Sequence, residues 1–157
     1  MRVLVLALIL AACGPSVGPR PEDRRGDTNG RMFDFVSGKP DGEEWTIHCR
    51  GDSMWVAFST ATQSKDYGEA TLTATESKTL WRLIDAVEVD PEEEVDSTHE
   101  DGTVLLRLRV PPDGDDDGDH EVVGVTLSRA TENDSVIDLA SYLIDLIKAH
   151  HGVEPAF

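Results

Sequence analysis

The sequence predicts an α+β domain, an antiparallel sheet of about five strands with two helices packed on one of its faces. Three observations carry this expectation. Thr103–Val110 and Glu121–Ser128 alternate apolar and polar residues with the period of a half-buried strand. Two other stretches repeat apolar residues at helical spacing: Leu80, Leu83, Ile84 and Val87 in one, and Val136, Leu139, Ala140, Leu143 and Ile147 in the other. The remaining apolar runs are short and turn-bounded, and no repeated βαβ pattern calls for a parallel sheet. A small open barrel with the helices outside is the alternative arrangement of the same elements.

The domain occupies residues 31–157. Residues 32–36 (Met-Phe-Asp-Phe-Val) form its first strand and stop at Ser37-Gly38-Lys39-Pro40-Asp41-Gly42, a dense turn signal. Residues 45–49 and 54–60 read as a hairpin closed through Arg50-Gly51-Asp52-Ser53, and residues 69–73 as a further short extended piece. Thr75 or Ser77 caps the first helix, Glu76 suits its positive end, and Pro91 ensures that it has ended. In Thr103–Val110 the apolar Val104, Leu106, Leu108 and Val110 share one face, while Arg107 and Arg109 point the other way. Val123, Val125 and Leu127 share a face of the next strand, and the two strands pair antiparallel around an acidic loop. The last helix starts at Asp134 or Ser135, carries Lys148, His150 and His151 at its negative end, and stops at Gly152 and Pro155.

Ahead of the domain, residues 1–12 place Arg2 before an unbroken apolar run, the pattern of a secretory signal peptide. Its end, Leu10-Ala11-Ala12-Cys13, resembles a bacterial lipobox. The resemblance to bacterial lipoproteins implies cleavage before Cys13 and diacylglycerol on its sulfur. The apolar run is far shorter than the roughly 20 residues that cross a bilayer. Two or three acyl chains, at about 0.8 kcal/mol per buried methylene, hold a protein on a membrane instead. Gly14 stands where lipoproteins kept in the inner membrane often carry aspartate, so the resemblance points to the outer membrane. Residues 13–30 hold three prolines, four glycines and a single apolar side chain beyond the cysteine, Val17. They read as a flexible tether with a reach of about 50 Å.

Charge bounds the partners. The chain carries 31 acidic residues against 14 Lys and Arg, a net −17. Loss of Arg2 with the leader makes the mature chain more negative still. Such a surface repels nucleic acid and anionic headgroups, which excludes a nucleic-acid role and electrostatic docking on the membrane. Cationic proteins and divalent metals suit it. With Cys13 lipidated, Cys49 is the one remaining thiol and closes no internal disulfide. Its place on a strand reads as a buried inert thiol, with an intermolecular disulfide or a reactive thiol as the alternative.

Carboxylates crowd between Glu88 and Glu121, where only Arg107 and Arg109 oppose them. Within that stretch Asp113-Gly-Asp115-Asp-Asp117-Gly118 matches the first half of a calcium loop, with acids at the first, third and fifth positions and glycine at the sixth. Asp113, Asp115, Asp117, Asp119 and Glu121 are therefore candidate ligands for weak calcium binding. Gly124 stands where the motif needs its bidentate glutamate, so a solvated acidic hairpin loop competes with the metal site. Glu92-Glu93-Glu94 and Glu100-Asp101 are expected at the same end of the sheet as that loop.

Other candidates are weaker. His48 and Cys49 face opposite sides of one strand, and His150 and His151 lack the spacing that puts two ligands on one helix face, so zinc is not expected. His99 and His120 near the acidic residues are pH-sensor candidates. Arg50-Gly-Asp-Ser53 spells an adhesion tetrapeptide, but Gly-Asp is ordinary turn chemistry. Trp45 and Trp55 are expected to pair across their hairpin. The sequence has no Gly-x-Ser-x-Gly elbow, Ser-x-x-Lys, His-Glu-x-x-His or phosphate-binding glycine loop, so no catalytic residue is assigned.

The element order over residues 32–150, with Leu80-Trp-Arg-Leu-Ile84 and Leu139-Ala-Ser-Tyr-Leu-Ile-Asp-Leu-Ile147, resembles the emfourin-like proteins. These are small α/β domains that inhibit thermolysin-like metalloproteases, and the resemblance implies that activity. Ser37-Gly38 is the only trace of their glycine-rich opening segment, and no inhibitory residue is carried over. The expected function is that of a non-enzymatic surface lipoprotein whose acidic domain binds another envelope or periplasmic protein. A calcium-binding module and a metalloprotease inhibitor are the alternatives.

Overall fold

The computed structural model describes residues 30–112 and 119–157. They form six strands and two α-helices: β1 Met32–Gly38, β2 Glu44–Arg50, β3 Ser53–Ser59, β4 Ser64–Thr71, α1 Ala74–Asp85, β5 Thr103–Val110, β6 Glu121–Ser128 and α2 Asp134–His151. A short 3-10 turn, Pro91–Glu93, interrupts the connection from α1 to β5. The strands make one antiparallel sheet in the order β4-β3-β2-β1-β5-β6. The α+β class is as expected, but the sheet has six strands rather than five. The additional strand, β4, is an edge strand of mostly polar residues, Ser-Lys-Asp-Tyr-Gly-Glu-Ala-Thr. It buries no apolar face of its own, so the chain gives little period-two signal there beyond its last residues.

Alternation sorts each strand into a core side and an open side. Phe33 and Phe35 of β1 stand beside Cys49 and Ile47 of β2, Met54 and Val56 of β3, and Leu106 of β5, all buried on one face. Leu80, Trp81 and Ile84 of α1 and Val136, Leu139, Leu143 and Ile147 of α2 close the same core. Burying a side chain of this size contributes about 1.5–3 kcal/mol, so this one layer holds most of the domain's hydrophobic stabilisation.

Local signals start and stop both helices. Thr73, rather than Thr75 or Ser77, caps α1 in a reciprocal capping box with Glu76. Ser77 is instead buried and donates its hydroxyl to the Gly51 carbonyl at 3.1 Å. Asn133 caps α2, which starts at Asp134 as expected, and Gly152 ends it in the left-handed region at φ 67°.

The Gly51 carbonyl also accepts the indole N–H of Trp81 at 2.8 Å. Gly51 (φ 60°) and Asp52 are the two-residue turn between β2 and β3, so α1 is pinned to that turn by two hydrogen bonds. The Arg50-Gly-Asp-Ser53 sequence is thus a structural hairpin whose carbonyl faces the interior. Above Trp81 lies the Arg31 guanidinium, 4.9 Å from the ring and paired with Asp85 at 2.6 Å.

Two expectations are corrected by the register. Trp45 lies opposite Phe58 and Trp55 opposite His48, so the two tryptophans are on opposite faces and do not pair. Glu100 and Asp101 precede the first residue of β5, whereas Asp119 and Glu121 lie beside its last, with Glu121 opposite Val110. The eight residues of β5 separate them by about 25 Å. Glu94 bridges to Leu127 and stands nearer that far end as well. The acidic residues therefore divide between the two ends of the sheet, which spreads their repulsion.

Six strands at about 4.8 Å spacing put the edge strands about 24 Å apart, while two helices about 10 Å wide cover about 20 Å. The helix layer is also drawn toward β4. Trp81 is held at the β2–β3 turn, and His151 of α2 lies 6.3 Å from the Tyr67 ring. Val104, Leu106 and Leu127 are still buried, and what remains uncovered on this face is β6 around Val123, 58% exposed.

Replacing Trp81 by Phe removes one of the two donors from the Gly51 carbonyl and leaves the packing nearly intact. We expect a loss of about 1–2 kcal/mol in urea unfolding. Arg50→Ala, in the same turn but exposed, should change stability by less than about 0.5 kcal/mol.

Candidate functional site

The chain leaves α1 through Val87 and Val89 and reaches the 3-10 turn, where the Asp90 carboxylate accepts the Glu92 N–H at 3.0 Å. Beyond it the Val95 N–H donates to the Thr126 carbonyl at 2.9 Å, so this connection joins the edge of β6 at residues 126–127. Asn133 fixes the connection from the other side. Its amide donates at 2.9 Å both to the Glu88 carbonyl and to the Glu93 carboxylate. The result is a cleft of about 360 Å³ whose wall is Ile84, Val87, Val89 and Glu94, and whose floor is Leu108, Val123 and Val125. It opens beside β6, where Val123 is 58% exposed and Val122, on the opposite face, 56%.

The two edges of the sheet are finished differently. β4 carries an irregularity in its pairing opposite Val56 and Ala57, and charged Lys65, Asp66 and Glu69. Both features discourage a further strand. β6 has no charged residue from Val122 to Leu127, no proline, and an unbroken register with β5. Past the contact made by residues 94 and 95, its edge has no strand partner among the described residues.

The open face of the sheet carries a second ordered cluster. Asp34 on β1 stands directly opposite His48 on β2 and Arg107 on β5, while Trp55 lies opposite His48 and Glu69 opposite Trp55. A single row of side chains therefore crosses five strands. Asp34 is 3% exposed and accepts from His48 Nδ1 at 2.5 Å, Arg107 Nε at 2.8 Å and Arg109 Nη2 at 2.6 Å. The His48 ring stacks on Trp55 at 5.1 Å. Ser53 donates to the Glu69 carboxylate at the end of the row. Burial alone would raise the Asp34 pKa, but the hydrogen bonds from His48 and Arg107 and the charge of Arg109 outweigh it and hold the carboxyl below its ordinary value.

Arg107 and Arg109 do lie on the open face, as the alternation predicts, but Asp34 ties them together. That role was not read from the sequence. The signal available was a lone acid in the apolar run Met-Phe-Asp-Phe-Val and two outward arginines on a later strand.

The candidate calcium ligands divide. Asp113, Asp115 and Asp117 lie outside the described residues, as does Cys13. Asp119 and Glu121 are exposed at the start of β6. Among the described residues, no three His, Cys, Asp or Glu side chains are grouped to hold a metal. Cys49 is 2% exposed and its thiol is pushed up to about 12, chiefly by burial and then by the charge of Asp34, which suits the inert-thiol reading. His48 and Cys49 point to opposite faces as expected. His150 meets Glu76 at 3.2 Å and links the end of α2 to the start of α1, while the His99 ring lies 3.8 Å from Asp101. No helix among the described residues is long and apolar enough to cross a membrane.

No protein-family model, curated protein or solved structure matches this chain.

Asp34→Asn should cost about 1–3 kcal/mol at neutral pH, since it removes the charge that three donors share. A depressed carboxylate contributes stability that is present above its unfolded pKa of about 3.9 and is lost as pH falls through the lower folded value. Denaturation of wild type and variant at several pH values should therefore show the gap between them closing below about pH 4.

Proposed function

We propose that this chain is a non-enzymatic, lipid-anchored envelope protein that binds another protein through the uncovered end of its sheet. The observation that carries the reading is the apolar cleft beside β6, with Val123 of its lining 58% exposed at its mouth. An apolar cleft open to solvent marks an interaction surface more often than apolar side chains scattered singly. The cleft is lined by apolar groups and one carboxylate, Glu94, a lining suited to a partner's side chains.

The anchor in this reading is Cys13, acylated after removal of residues 1–12 and inserted in the outer membrane. The segment up to residue 30 then holds the domain away from the bilayer. Its three arginines and three acids cancel, so the net negative charge belongs to the domain itself. That charge steers a cationic partner and keeps anionic ones away.

Placing a photo-crosslinking residue at Val123, in the cells that make the protein, should give a discrete adduct with a second protein. The same residue at exposed Asp138 on α2 should not. No adduct from Val123, or the same adducts from both positions, would remove the cleft from the account. Cys13→Ser should move the protein from the membrane fraction to the soluble one; unchanged membrane retention would remove the lipid anchor.

A further inference from the structure

We propose that a hollow on the open face of the sheet binds a small aliphatic zwitterion, its carboxylate held by Arg50 and Arg109 and its ammonium by Glu69 and Trp55. The hollow lies on the face away from the cleft, and the inference does not depend on the reading of that cleft.

Register builds the hollow. Met32 on β1 lies directly opposite Arg50 on β2 and Arg109 on β5, and Arg50 lies opposite Ser53 on β3. Two residues further along these strands stand Asp34, His48 and Trp55, with Glu69 of β4 opposite Trp55. The two rows enclose about 500 Å³, and Met32 places an apolar side chain between the two arginines.

The charges around it are not matched to one another. Asp34 is buried and its oxygens are taken, Oδ1 by His48 and Oδ2 by Arg107 and Arg109. One carboxylate against two guanidinium groups leaves a positive charge over, and Arg107 stands outside the hollow. The Arg50 side chain is exposed and has no hydrogen bond or ion pair among the described residues. Glu69 is exposed too, accepts from the Ser53 hydroxyl and pairs with no cation among the described residues. Arg50 and Glu69 therefore line one hollow with opposite charge and do not bridge each other. They are two strands apart, about 10 Å across the sheet, a gap suited to a ligand charged oppositely at its two ends.

The chemistry of each end selects the group. Guanidinium forks on either side of Met32 suit a planar carboxylate, which accepts paired N–H bonds. At the other end, the His48 ring stacks on Trp55 at 5.1 Å from β2, and Glu69 flanks Trp55 from β4. An ammonium between the indole and that carboxylate gains a cation–π contact and an ion pair together. Methylenes joining the two ends pack over Met32. A plain anion leaves Glu69 without a partner, and a plain cation leaves Arg50 without one.

The test titrates the full chain calorimetrically with 6-aminohexanoate, and with hexanoate and hexylamine as its two halves. 6-Aminohexanoate should bind and shift the indole N–H resonance of Trp55 and the guanidinium N–H resonance of Arg50. Each half should bind about tenfold or more weakly than the whole. Arg50→Ala and Glu69→Gln should each weaken 6-aminohexanoate by a similar factor. Lys78→Ala, which removes an exposed cation from α1, should leave its affinity unchanged.

Equal binding of hexanoate would make this a plain anion site, and equal binding of hexylamine would reduce the effect to the acidic surface. Either result would overturn the proposal. So would no binding of 6-aminohexanoate, or an affinity that only one or neither of the Arg50 and Glu69 variants lowers. None of these outcomes bears on the Val123 photo-adduct, so the cleft reading stands or falls separately.

Discussion

A six-stranded sheet with one apolar face needs about 24 Å of cover, and the described residues supply two helices for it. The rest of the structure follows from that mismatch. The helices settle where the sheet offers them specific partners. Two donors from α1 converge on the Gly51 carbonyl, and α2 runs toward Tyr67 of β4. The long connection from α1 to β5 partly compensates, joining β6 through Val95 and walling the gap with Val87 and Val89. It reaches only as far as residues 126–127. The cleft is the gap left between the end of α1, this connection and the Val123–Val125 stretch of β6.

The opposite face is finished by polar chemistry. Asp34 would be costly to bury alone, but the register delivers His48 and Arg107 from its two neighbouring strands and Arg109 from the next pair along. The row from Arg107 through Trp55 to Glu69 crosses five of the six strands. A row of cross-strand pairs of this kind fixes register on a face that has no hydrophobic core to fix it. In a chain of net charge −17 this is also where the sheet's own arginines are gathered, so the open face and the cleft present partners with opposite electrostatics.

Much of this was legible in the sequence, and the omissions have physical reasons. The period-two face of β5, the helical stripes of α1 and α2 and the Gly152 stop all lie where apolar spacing placed them. β4 was read only at its tail because a polar edge strand has no buried face to impose alternation. The cap of α1 was misplaced because Ser77, a good capping residue, has a buried partner 26 residues away in sequence, which local patterns cannot show. The same limit hid Asp34, whose partners come from strands 14 and 73 residues distant. Trp45 and Trp55 lie on neighbouring strands of one hairpin, yet register sets them on opposite faces. The cleft was invisible for a further reason: it arises from what the helices fail to cover, and no single segment encodes that.

The central claim is that β6 is bonded on its β5 side and open on the other along residues 122–125. Residue-resolved amide hydrogen exchange on the unliganded protein tests it most directly. The account predicts alternation, with Val123 and Val125 protected by β5 and Val122 and Gly124 exchanging at close to solvent-exposed rates. Protection of all four would show that something already covers the edge. Rapid exchange of all four would show that β6 is not held in the sheet, and either result would contradict the account.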